Sequence, residues 1–126
     1  ILDTRVFEQL ARDTSAEIVP KMLAAFCKET RSRIDMLIQA RADAHIDYRQ
    51  LQHEAHTLKS SAATFGATAL NRIAAAVEMD CRNGDFESAS GRLDALIDSG
   101  ETALRAVAEH LAATAADNGQ TTAANP

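Results

Sequence analysis

His56, Lys59 and Ser60 occur three and four positions apart within residues 52–66, a stretch with no Pro or Gly before Gly66. On a helix, those spacings place all three side chains on one face. A neutral imidazole is a nucleophile near physiological pH, and a phosphorylated ring can pass its group on. Lys59, one turn along, would set a positive charge beside the phosphoryl oxygens. Gln52, Ser60 and Ala63 are the other helical neighbours of His56, and the small side chains at 60 and 63 leave room for a partner to approach the ring. Other chemistries fit less well. His53-Glu54-Ala55-His56 is one residue short of HExxH, and no Glu-x-x-His pair supports a di-metal site in a helical bundle. Ser60 lacks a Gly-rich elbow or oxyanion loop, and no phosphate-binding loop for ATP is present. Helix position by itself still leaves an ordinary surface histidine as the simpler account of His56.

The element that carries His56 is read from its apolar stripe: Tyr48, Leu51, Ala55, Leu58, Ala62 and Phe65 recur at intervals of three and four. His56 follows a stripe residue by one position and so lies off the buried seam. A short first helix is capped by Asp3 or Thr4 and carries Val6, Phe7 and Leu10. A long helix over about residues 15–42 follows, started by the cluster Asp13-Thr14-Ser15, with Val19, Leu23, Phe26, Thr30, Ile34 and Leu37 inward. Lys28, Glu29, Arg31, Arg33 and Asp35 read as its solvated face. After Gly66, Thr68 is the expected cap of a helix whose inward residues are Leu70, Ile73, Ala74, Val77 and Cys81. Asn83-Gly84-Asp85 is a turn. A final helix over about residues 86–113 is expected to bend near Ser99-Gly100. Four substantial amphipathic helices with short connections predict an all-α, antiparallel up-down four-helix bundle with a short extra N-terminal helix. The bundle spans residues 1–114, and the period-free residues 115–126 are an expected disordered tail.

Composition narrows the partners. A net charge of -5 argues against general nucleic-acid binding, which needs a basic face. No apolar run approaches the roughly 20 residues of a membrane span. Cys27 and Cys81 form no CxxC pair and read as buried free thiols, as suits a reducing cytoplasm. His45 and His110 read as surface residues.

The composite of His56-Thr57-Leu58-Lys59-Ser60-Ser61, Gly66, Leu70 and Val77-Glu78 resembles the histidine phosphotransfer (HPt) domain family. The family pattern is approximately His-x-Leu-Lys-Gly-Ser, then a Gly, a Leu and a Leu-Glu-like pair; Ser60 and Val77 are the two departures. The resemblance implies that His56 accepts the phosphoryl group through Nε2, that Lys59 steadies it, and that Glu78 holds the other ring nitrogen. It implies docking through the surface around His56, including Gln52, Ser60 and Ala63. It further implies a cytoplasmic, monomeric phosphorelay intermediate without cofactor, metal, kinase core or ATP site, served by receiver domains of response regulators or of a hybrid histidine kinase. The alternatives are the phospho-accepting domain of a chemotaxis-type kinase and a helical adaptor without phosphoryl chemistry.

Overall fold

The computed structural model describes residues 2–43 and 45–124, with side chains as far as residue 115. Six helices follow in order: α1 Thr4–Asp13, α2 Val19–Ala42, α3 Tyr48–Thr64, α4 Thr68–Arg82, α5 Phe86–Gly91 and α6 Leu93–Ala124. Helices α2, α3, α4 and α6 make the expected antiparallel bundle. α3 packs most extensively on α4, α2 and α4 both pack on α6, and α2 meets α3. The buried residues form one continuous core that includes Leu23, Ile34, Leu58, Leu70, Leu96 and Val107, each 1% exposed or less. α1 is the expected extra helix, capped by Asp3, whose carboxylate accepts from the Arg5 amide. No described helix is long and apolar enough to cross a membrane.

Several boundaries differ from those expected. α2 begins at Val19 rather than near residue 15, because Pro20 in its first turn pre-sets the backbone there and needs no amide donor. Thr14 does not cap α2. It closes α1 instead, its hydroxyl and its amide both donating to the Leu10 carbonyl. At α4 the cap position is Ala67, not Thr68. The expected last helix is two, with the break at Arg92, directly after the helix-weakening Gly91. α6 stays helical through Ser99-Gly100, where the bend was expected. A Cβ at Gly100 would overlap Ile34 Cδ1 and lie 2.7 Å from Ile34 Cγ1, so this glycine lets α6 approach α2 closely. The boundary expected at 114/115 falls inside α6, whose backbone remains helical through Ala124.

The polar face of α2 is not simply solvated. Arg31 donates through both terminal nitrogens to the Glu101 carboxylate, at 2.8 and 2.6 Å, tying α2 to α6. Arg33 reaches Glu54, a buried carboxylate on α3, at 2.6 Å. Removing Arg33 would strand a buried charge, which is far costlier than losing an exposed pair. His110 is also not a plain surface residue, since its ring packs on Phe7 with centroids 4.8 Å apart and fastens α6 to α1.

The two α5–α6 glycines make opposite predictions. Gly100→Ala forces the fully buried Ile34 to shift and is expected to cost about 1–3 kcal/mol. Gly91→Ala adds a methyl group to open space and is expected to stabilise by about 0.4–1 kcal/mol. Denaturant unfolding of both variants checks the pair; equal effects would remove close helix approach as the role of Gly100.

Candidate functional site

α3 positions His56 by burying its other side. Asp47 caps the helix, its Oδ1 accepting from the amides of Arg49 at 3.0 Å and Gln50 at 3.2 Å. Leu51, Ala55, Leu58 and Ala62 then face the core at 3% exposure or less, which turns the imidazole of His56 outward, with its side chain 57% exposed. The turn into α4 depends on Gly66. Its φ of +72° is costly for a side chain-bearing residue, and a Cβ would sit 2.6 Å from the Asp3 carbonyl oxygen. That close approach is used: the Asp3 amide donates to the Gly66 carbonyl at 2.8 Å, pinning the N-terminal segment over the turn. One turn further into α4, the Asn71 side-chain amide donates to the Lys59 carbonyl at 2.9 Å, binding α4 to α3 at the level of the site.

In this register Glu78 of α4 lies against His56 and Lys59 of α3. Its Oε2 is 2.6 Å from His56 Nδ1. Its Oε1 accepts from Lys59 Nζ at 2.9 Å and from Arg82 Nη2 at 3.1 Å. Glu78 is buried beside Val77 and Cys81 on the inward edge of α4. Three donors satisfy the carboxylate and offset its desolvation. The hydrogen bond from Lys59 is the largest influence on its pKa and, with that from His56, holds it below the ordinary value against the upward push of burial. An ionised carboxylate only accepts, so the proton shared with His56 sits on Nδ1, and Nε2 is left as the bare, outward nitrogen.

The three residues expected to carry chemistry thus converge. Of the expected docking residues, Ser60 and Ala63 are exposed, while Gln52 is half-buried. Gln52 lines an open cleft of about 410 Å³ with Arg49, His53, His56, Glu78 and Arg82. Arg82, Arg49 and Asn71 were not among the expected site residues. Arg82 was legible in principle, because it follows Glu78 by four positions and so shares its helix face. Asn71 becomes relevant only once α3 and α4 are in contact. Among the described residues, no group of three or more His, Cys, Asp or Glu side chains could hold a metal ion.

The lowered pKa of Glu78 has a consequence for stability. A carboxyl group whose folded pKa lies below its unfolded value stabilises the fold above the unfolded pKa, and that contribution disappears as the pH falls through the folded value. Glu78→Gln is therefore expected to shallow the loss of thermal stability on acidification below about pH 4.5, the ordinary carboxyl value. Melting temperatures across that range check this; parallel curves for the two proteins would count against it.

Known proteins share this arrangement of helices and sequence. The chain is 32% identical over 98 residues to the phosphorelay protein LuxU of Vibrio vulnificus, covering 78% of this chain and 84% of that one. Its fold matches the crystal structure of histidine-containing phosphotransfer protein B (HptB) from Pseudomonas aeruginosa, with a TM-score of 0.74, 22% identity and coverage of 87% and 93% of the two chains. A putative histidine-containing phosphotransfer protein from rice matches with a TM-score of 0.62 and 16% identity over 87% of this chain and 83% of that one. The Hpt domain model matches residues 21–117, from the first turn of α2 into α6 and across the whole His56–Glu78 pairing, and by that match the chain belongs to the Hpt domain family.

Proposed function

We propose that this chain carries a phosphoryl group on His56 Nε2 between receiver-domain aspartates. Phosphotransfer within a phosphorelay is the function of the domain; the residue roles are the reading advanced here. One observation carries it: the buried Glu78 carboxylate lies 2.6 Å from Nδ1 of a His56 side chain that is 57% exposed, and with the proton on Nδ1 the Nε2 lone pair is free to attack. In the transfer, that lone pair forms the N–P bond while the O–P bond of an aspartyl phosphate breaks and the carboxylate leaves with the electron pair. The proton on Nδ1 stays, the ring becomes a cation, and Glu78 faces the new positive charge. Reversal of the same step passes the group to a second aspartate.

Lys59 lies one turn from His56 with its ammonium held at Glu78, close to where the phosphoryl oxygens would gather. It supplies charge neutralisation, and the receiver supplies its metal ion and acidic pocket. Ser60 and Ala63, exposed and small, give the receiver room to bring its aspartate in line, with Gln52 on the other side of the ring. Residues 1–114 make up this unit in our reading, which acts in the cytoplasm as a monomeric carrier rather than as a kinase. The relative named as a phosphorelay protein supports receiver-to-receiver relay over a kinase-linked domain.

Incubation with a phosphorylated receiver domain tests the proposal. Acid-labile, base-stable label is expected on the wild type and absent from His56→Gln; label that survives this substitution would remove His56 from the reaction. Lys59→Ala is expected to slow transfer by about tenfold or more while leaving the fold intact, with a lowered melting temperature because the buried Glu78 loses one of its three donors. Equal single-turnover rates would exclude Lys59 from the mechanism.

A further inference from the structure

A separate cavity, of about 290 Å³, opens where the end of α2, the start of α3 and the start of α6 meet. It shares no lining residue with the cleft at His56. Leu37, Leu51 and Leu93, each 3% exposed, form its apolar floor, and the flexible side chain of Met36 stands exposed at its edge. One buried polar group joins that floor. Glu54 is 6% exposed, and Arg33 engages only its Oε2. Oε1 has no partner among the described residues, where no fully buried side-chain oxygen goes unpaired, so Oε1 opens onto the cavity that Glu54 lines. A carboxylate oxygen in apolar surroundings calls for a donor.

The lining selects the kind of donor. It contains three carboxylates, Glu54 with the exposed Asp43 and Asp47, and neither lysine nor arginine. The amides that begin α3 would favour an anion, but Asp47 Oδ1 already accepts from those of Arg49 and Gln50. Such a lining suits a cation. A bare metal ion does not fit, because among the described residues no group of three His, Cys, Asp or Glu side chains could hold one. We infer that this cavity binds a small organic ammonium ion, its N–H donors on Glu54 Oε1 and its aliphatic body against Leu37, Leu51 and Leu93. Apolar walls exclude water and so strengthen the charged hydrogen bond, while Asp43 and Asp47 draw cations to the opening. This site does not depend on the chemistry of His56.

Pentylamine is the probe, titrated into the isotope-labelled protein and followed by backbone amide NMR, with pentanol as the uncharged control of the same length. His45 also lines the cavity, so the titrations are run at about pH 8, above the range in which histidines ordinarily charge. Saturable shifts at Ala40, Leu51 and Leu93 are expected with pentylammonium. Pentanol is expected to bind about tenfold more weakly, the scale of one hydrogen bond to a charged group, and Glu54→Gln is expected to lose the same tenfold. Because Glu54→Gln leaves Arg33 without its anion and costs stability, Ala40→Phe provides an independent variant. It fills the cavity from α2, keeps the Arg33–Glu54 pair, and is expected to abolish the saturable shifts. Shifts that stay linear and spread over the acidic surface show nonspecific attraction and overturn the inference. Equal binding of pentanol, or undiminished binding by Ala40→Phe, overturns it as well.

Discussion

A buried carboxylate must be fully hydrogen-bonded or it destabilises the fold that buries it. Glu78 meets that condition by drawing His56 and Lys59 of α3, and Arg82 of its own helix, to two oxygen atoms. The need is mutual. Without Glu78 the imidazole would have no fixed tautomer, and without the donors the carboxylate could not remain at 4% exposure against Val77 and Cys81. The chemistry proposed at Nε2 and the stability of the α3–α4 pair therefore rest on the same three contacts.

Those contacts demand a register that holds to a fraction of an ångström. Gly66 supplies a turn tight enough to bring α4 back along α3, and the N-terminal segment at Asp3 packs on it from outside. The Asn71-to-Lys59 hydrogen bond then stops the two helices sliding past each other near the site. On the far side of the bundle, Gly100 lets α6 sit against Ile34, while Arg31 and Arg33 tie α2 to α6 and α3 through Glu101 and Glu54. These are rigid supports, consistent with a domain whose contribution to phosphotransfer is position and charge rather than moving parts.

Charge is distributed unevenly to match. The chain is acidic overall, yet its cleft beside His56 is bordered by Arg49 and Arg82, with Lys59 one turn beyond the ring. That local lining attracts an acidic surface even though this chain at large repels nucleic acid and other anions. Exposure of the imidazole next to a buried carboxylate is what makes the site both approachable and pre-oriented.

Much of this was legible in the residues. Apolar spacing alone located α3, α4 and the inward face of α2, because a helix must turn its apolar stripe to the core whatever its neighbours are. The motif from His56 to Glu78 picked out the phosphotransfer family, and period three and four placed Lys59 beside His56. Helix ends were less legible: Thr14 closes α1 instead of opening α2, since Pro20 rather than a hydroxyl decides where α2 begins. The polar residues were the least legible. Arg33 and Glu54, like Glu78 and Arg82, look solvated in sequence, and only the packing of one helix on another determines which carboxylates are taken from water. A stripe is a property of one helix, whereas a hydrogen bond across an interface depends on the rotation and register of two, and no single-helix pattern encodes that.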